Sequence, residues 1–173
     1  REIAKKLNSS IRPIYYQFKN SEELKKELIN KIEHYFFDYI FIDCPPALSQ
    51  STYNAMVVAS HLLVPVQMEG LSVNGLAAIL GAMEEVKNGR FALNQDLELL
   101  GLLPVMVDER PRIVRQAIQY LKDTYGRKVI EHGIRRCIKV NEAQTEMTDL
   151  FHYAPYCTAA NDYSEVIKEI FGI

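Results

Sequence analysis

The sequence predicts a doubly wound α/β fold, a mostly parallel sheet with helices on both faces, and three observations carry that prediction. Residues 39–42, 61–66 and 97–107 are runs of large apolar residues, as in strands buried on both faces of a parallel sheet. The stretches between them carry apolar residues at helical spacing, so strands and helices alternate. Turn residues punctuate the alternation: Pro45-Pro46, Asn88-Gly89 and Gly126. No linker, internal repeat or low-complexity tract interrupts the 173 residues, which read as one domain, 1–173.

In order along the chain, residues 1–7 have the spacing of a helix tail, and residues 11–18, with Pro13, read as an extended segment. Asn20 and Glu23 form a capping pair for a helix with Leu24, Leu28, Ile32 and Tyr35 on one stripe. Residues 39–42 then form a buried strand, stopped by two prolines that cannot donate to a ladder. A short helix over 51–60 leads to a strand over 61–66. The helix over 72–87, rich in small residues, suits close packing. The longest apolar run, 97–107, is a third strand. Residues 113–125 are a helix closed by Gly126, and Val129-Ile130 is a short edge strand. A basic loop, 133–139, precedes helices over 142–150 and 162–171.

Composition excludes several classes. A hydrophobic fraction of 48% and a charged fraction of 24% are those of an ordinary globular protein, and no apolar run approaches the ~20 residues that span a bilayer. The three cysteines, Cys44, Cys137 and Cys157, are far apart and in no C-x-x-C pair, which fits reduced cytosolic thiols. The four histidines are scattered and show no metal-ligand spacing.

Three stretches bear on chemistry. Asp43 follows the strand over 39–42, at the end where open α/β sheets bind ligands, and reads either as a ligand-site acid or as a cap of its own loop. Gly70 and Gly75 have the spacing of a phosphate loop, but Leu76-Ala77 stand where Lys and Ser/Thr are required, so this is a packing feature. From Arg110 to Lys139 nine Lys/Arg stand against two acids, a local balance of +7 in a chain of net charge −2. Such polarity suits a polyanion on one face; the alternative is a solvated surface paired with the acidic remainder. Tyr120 and Tyr125 are the window's two aromatic residues and do not alternate with its cations as a stacking platform would need, so backbone contact is the better reading.

Four segments in order resemble the ParA/Soj branch of the ParA/MinD deviant-Walker ATPases. Residues 37–48 (F-D-Y-I-F-I-D-C-P-P-A-L) are similar to D-Y-I-I-I-D-C-P-P-S-L, and residues 59–67 to A-D-x-x-L-I-P-V-Q. Residues 99–110 are similar to I-x-G-V-L-x-T-M-x-D-x-R, and residues 134–143 to I-P-R-N-V-R-L-S-E-A. The family's K-G-G-x-G-K-T/S loop does not occur in this sequence, Arg135 stands for the proline of I-P-R, and Gln144 for a frequent proline.

The resemblance implies a P-loop NTPase-like fold whose first strand and phosphate loop this chain lacks, as the C-terminal portion of such a domain. It implies that Asp43 is the catalytic-site acid associated with Mg²⁺ through water, and that Cys44, Pro45, Pro46 and Gln67 belong to the nucleotide-sensing switch. It implies that Arg110 and Arg136, with Lys139 close by, contribute to non-specific DNA binding. ATP and Mg²⁺ are the implied cofactors, only in combination with the missing loop; the chain alone is expected to be inactive. A homodimer, a ParB-like partner and a cytoplasmic, nucleoid-associated location follow. The alternative is a non-enzymatic DNA-binding or adaptor domain. A membrane-cycling relative is disfavoured, because the last helix carries Lys168 as its only basic residue beside Asp162, Glu165 and Glu169.

Overall fold

The computed structural model describes residues 23, 26, 39–68, 73–108 and 110–172. The chain divides into two compact units, Arg1–Val58 and Ala59–Ile173. Of the expected elements before residue 39, the helix tail over 1–7 and the extended segment over 11–18 lie outside the described residues. So does the Asn20-capped helix, apart from Glu23 and Lys26, which are helical.

In the first unit, helix α1 (Gln50–Val58) forms as expected and buries Thr52, Asn54, Ala55 and Met56. The expected strand over 39–42 is not found: residues 39–45 take no regular structure, and Tyr39 and Phe41 are 55% and 74% exposed. A strand buried on both faces would hide these side chains, and their exposure shows that this run is not one.

The second unit holds a three-stranded parallel sheet in the order β1-β2-β3. Strand β1 (His61–Gln67) pairs with β2 (Glu98–Val107) from His61↔Glu98 to Gln67↔Val105, and β2 pairs with β3 (Ile134–Arg135). Helix α2 (Val73–Asn88) connects β1 to β2. Helix α3 (Arg112–Tyr125) and a short 3₁₀ turn (Gly126–Lys128) connect β2 to β3. Helices α4 (Ile138–Thr145), α5 (Leu150–Tyr153) and α6 (Thr158–Phe171) complete the chain.

Alternation along the strands places helices on both faces. Val64, Val66, Leu102 and Val107 pack with Leu76 of α2 and Val114 and Leu121 of α3. Leu103 and Ile134, with Leu63 and Val105, meet Val166 and Ile170 of α6 on the other side. The expected fold class is therefore what forms, although several element boundaries differ. Val129 makes only a single bridge to Leu102, and the third strand lies at 134–135, inside the segment expected to be a loop. The helix expected over 142–150 starts at Ile138 and ends at Thr145, and the last helix starts at Thr158. In these segments backbone pairing and caps, rather than apolar periodicity, set the boundaries.

Gly101 is required by close approach. A Cβ there would lie 2.5 Å from Ile130 Cδ1 and 2.9 Å from its Cγ1. Gly101→Ala is expected to destabilise by about 1–2 kcal/mol through overpacking. Ile130→Val in the same chain, which removes Cδ1, should recover part of that loss in thermal melts; purely additive effects would show that the two side chains do not meet.

Candidate functional site

The C-terminal ends of the parallel strands gather three of the sequence-predicted residues in the second unit. Gln67 closes β1 and is exposed opposite Val105. Beyond β2, the Asp108 carboxylate accepts from Arg110 Nε at 2.8 and 3.1 Å, from Nη2 at 2.6 Å and from the Arg110 backbone N–H at 3.2 Å. The Arg110 side-chain and backbone bonds, with the charge of Arg136 adding to them, hold the Asp108 carboxyl at about 2. Arg136 leaves β3 with its backbone N–H on the Val107 carbonyl at 3.1 Å. Arg110 and Arg136 thus flank one carboxylate where β2 and β3 end.

Lys139 sits in the first turn of α4, its Nζ 2.7 Å from Glu142 Oε2. Tyr153 donates its hydroxyl to the same oxygen at 3.0 Å. The Lys139 ammonium, then the Tyr153 hydroxyl, hold the Glu142 carboxyl below its usual range, and Glu142 in turn raises Lys139. Arg110 and Lys139 therefore each bring a local carboxylate that a phosphate would have to displace.

The remaining cations of the basic window sort by structure rather than by position in the chain. Lys128, exposed, donates to the Leu99 carbonyl at 2.7 Å. Arg135 is committed to Asp162 of α6: its backbone N–H reaches Oδ2 at 2.9 Å and its Nη2 reaches Oδ1 at 2.6 Å. Glu169, seven residues further along α6, accepts from the backbone N–H groups of Glu131 and His132 at 2.7 and 3.1 Å. Arg112, Arg115 and Lys122 lie on one exposed side of α3, with exposed Arg127 just beyond it. The α3 stripe was legible as helical spacing within the basic window. The roles of Asp162 and Glu169 had no sequence signal, because their partners lie far away along the chain.

In the first unit, Asp43, Cys44, Pro45 and Pro46 form an exposed turn entering α1. The Thr52 hydroxyl donates to the Ala47 carbonyl at 2.9 Å and fixes that turn. Partial burial, then the neighbouring Asp43 charge, push the Cys44 thiol up. Asn54 accepts from Gln50 Nε2 at 3.1 Å, while its own buried Nδ2 has no hydrogen-bond partner. Among the described residues no three His, Cys, Asp or Glu side chains gather as a metal site. They offer one exposed carboxylate to a magnesium shell and no lysine-bearing glycine loop to cradle phosphates. By themselves they do not fit Mg²⁺·ATP.

Comparison with known proteins follows the same lines. The AAA domain family matches residues 7–99. The chromosome-partitioning ATPase Soj of Thermus thermophilus is 34% identical over 79% of this chain and 53% of its own length. The sporulation initiation inhibitor protein Soj of Bacillus subtilis is 33% identical over 78% and 52%, and the chromosome partitioning protein ParA of Caulobacter vibrioides 31% over 79% and 50%. The chain spans about half the length of these curated relatives. Among solved structures, cobyrinic acid a,c-diamide synthase of Mycobacterium smegmatis with bound ADP and magnesium superposes with a TM-score of 0.65. It shares 26% identity over 88% of this chain and 55% of that one. Parallel sheet, two-sided helical cover and these neighbours define a P-loop NTPase-like α/β protein. Within that class, the chain belongs to the ParA/Soj-type partitioning ATPase family.

Proposed function

We propose that this chain acts in plasmid or chromosome partition as part of a ParA-like ATPase that binds DNA non-specifically as an ATP-dependent dimer and is stimulated by a ParB-like partner. The observation that carries the DNA reading is the grouping of Arg110 and Arg136 at one end of the sheet. The exposed Arg112, Arg115 and Lys122 of α3 extend the same basic segment. Base edges are not needed for such binding; phosphate contacts supply affinity and make it salt-dependent. In this reading Asp43 is the acid that takes part in a magnesium shell once a phosphate loop is supplied, with Cys44, Pro45, Pro46 and Gln67 reporting nucleotide state. Lys139 is a further phosphate contact.

Binding of the full chain to duplexes of unrelated sequence, measured across a salt series, tests the DNA reading. Arg136→Ala and Arg110→Ala are each expected to weaken binding about equally on every duplex and to lower the salt slope by about one. Asp108→Asn, which releases Arg110 and removes a negative charge, should strengthen it. Unchanged affinity in all three variants would remove the sheet-end cations from the interface. The ATPase part is decided separately, by whether the coding sequence upstream of Arg1 specifies K-G-G-x-G-K-T/S.

A second reading is a non-enzymatic DNA-binding or adaptor domain with this fold. The observation that favours it is that the described residues do not fit Mg²⁺·ATP. It requires DNA affinity that is indifferent to added ATP and Mg²⁺, whereas the partition reading requires a response once the loop is present.

A further inference from the structure

Among the described residues β3 is an edge of the sheet, and an edge strand leaves part of its backbone N–H and C=O groups facing outwards. The Ile130 N–H reaches the Leu102 carbonyl at 2.9 Å and the Arg136 N–H reaches the Val107 carbonyl at 3.1 Å, so both point inwards to β2. Alternation along the strand turns the Arg135 N–H to the outer side. There Asp162 Oδ2 accepts it at 2.9 Å, and the Arg135 guanidinium closes over the same carboxylate with Nη2 2.6 Å from Oδ1. The N–H groups of Glu131 and His132 meet Glu169, with Oε1 at 2.7 Å and Oε2 at 3.1 Å, and His132 Nδ1 lies 3.0 Å from Oε2. Both acids come from α6, and Val166 between them packs with Leu103, Ile130 and Ile134. The helix therefore lies along the edge with an apolar centre and a carboxylate towards each end. Water satisfies outward backbone groups at an exposed edge, so two carboxylates from a helix far along the chain are not needed for that alone. Arg135 also stands where the similar segment I-P-R carries proline, a residue with no N–H to offer at an edge. Two different devices thus remove the same donor.

We propose that Asp162 and Glu169 guard the β3 edge: they stand in for the carbonyl oxygens of a neighbouring strand and keep residues 131–135 from pairing with the same segment of a second copy of this chain. A second copy related by a two-fold axis presents that segment antiparallel, so each chain's outward N–H groups face outward carbonyls of the other. The carboxylates prevail because α6 holds them beside the donors, at an effective concentration far above that of a separate molecule. The guard needs neither nucleotide nor DNA and so goes beyond the partition reading.

Sedimentation velocity of the full chain without nucleotide or DNA, with amide hydrogen exchange across the same concentration series, tests this. Asp162→Ala/Glu169→Ala is expected to gain mass with concentration beyond any rise in the parent chain, towards twice the single-chain mass. Its Glu131, His132 and Arg135 amides should exchange faster than the parent's when dilute and regain protection as the chain is concentrated. Adding Arg135→Pro, which removes an outward donor and leaves the Arg136 bond to β2 in place, should return the mass to the parent's curve. Circular dichroism below the melting transition checks that each variant is folded. Where the double variant does not fold, Glu169→Ala alone, near the exposed end of α6, carries the test through the mass and the Glu131 and His132 amides. Unchanged protection in the dilute variant, or lost protection with no gain in mass, would overturn the proposal, the second because water would then serve the edge as well as a second copy does. Association that survives Arg135→Pro would overturn it too, since the contact would not run through this edge.

Discussion

Asp162→Ala is expected to lower the stability of the chain by about 2–3 kcal/mol, read as a fall of roughly 5–10 °C in melting temperature. The Asp162 side chain is only 11% exposed, against 53% for Arg135. Truncation leaves the Arg135 backbone N–H without its acceptor, while the guanidinium can turn back to water, so the loss falls short of a fully buried pair. Asp162→Asn keeps one acceptor and the side-chain volume and should cost about half as much. The pH dependence has a definite sign. Burial alone would raise the Asp162 carboxyl, but the Arg135 side-chain and backbone bonds, with the guanidinium charge, lower it. Its contribution is therefore present in full above the ordinary aspartate range near pH 4 and is lost as pH falls through that range towards the depressed folded value. Urea midpoints between pH 7 and pH 2 should fall less steeply for Asp162→Ala than for the parent chain. Parallel curves would show that the bonds to Arg135 do not stabilise the folded state.

The same clamp bears on function. Arg135 is turned towards α6 by Asp162, and Arg136 is tied through its backbone to the end of β2. Adjacent arginines in the sequence thus do unlike work, one joining α6 to β3 and the other standing beside Asp108. If Arg136 contacts DNA, Asp162→Ala should weaken binding indirectly, with the salt slope retained because no phosphate-facing charge is removed.

What was legible in the sequence was whatever depends on neighbours along the chain. β1, β2, α2 and α3 follow from apolar runs and periodicity, and each formed within a residue or two of expectation. The strand over 39–42 did not form, because an apolar run states a preference for burial and does not by itself set a register. β3 was misplaced because two residues of pairing carry no pattern; the Val105 to Ile134 register decides it. At the site, the positions of Arg110 and Arg136 were visible through ordered segments shared with a family. Whether a cation is committed to a carboxylate was not. Asp108 is two residues from Arg110 and its pairing is local, whereas Asp162 is 27 residues from Arg135 and meets it only across the packed layers.

Leu121→Ala carries the largest expected loss, about 3–4 kcal/mol. Leu121 is fully buried in the cluster that joins α3 to β1 and β2, with Val114, Ile118 and Tyr125 completing the inner stripe of the helix. Truncation forfeits the transfer energy of the removed carbons and leaves a cavity between a helix and a sheet that can close only partly. The urea midpoint should fall at unchanged slope, since the surface exposed on unfolding is nearly the same. The outer side of α3 is what makes the substitution informative. Arg112, Arg115 and Lys122 stand there, held in register by the inner stripe. Below its melting transition Leu121→Ala should keep DNA affinity and salt slope within about twofold of the parent chain, because it removes no charge. Arg115→Ala should do the reverse, lowering the salt slope while shifting stability by less than about 0.5 kcal/mol. If Leu121→Ala instead lost binding in proportion to stability, the basic stripe would depend on the core for more than its register. If Arg115→Ala left the slope unchanged, α3 would not face the phosphates, and the sheet-end arginines would carry the interface alone.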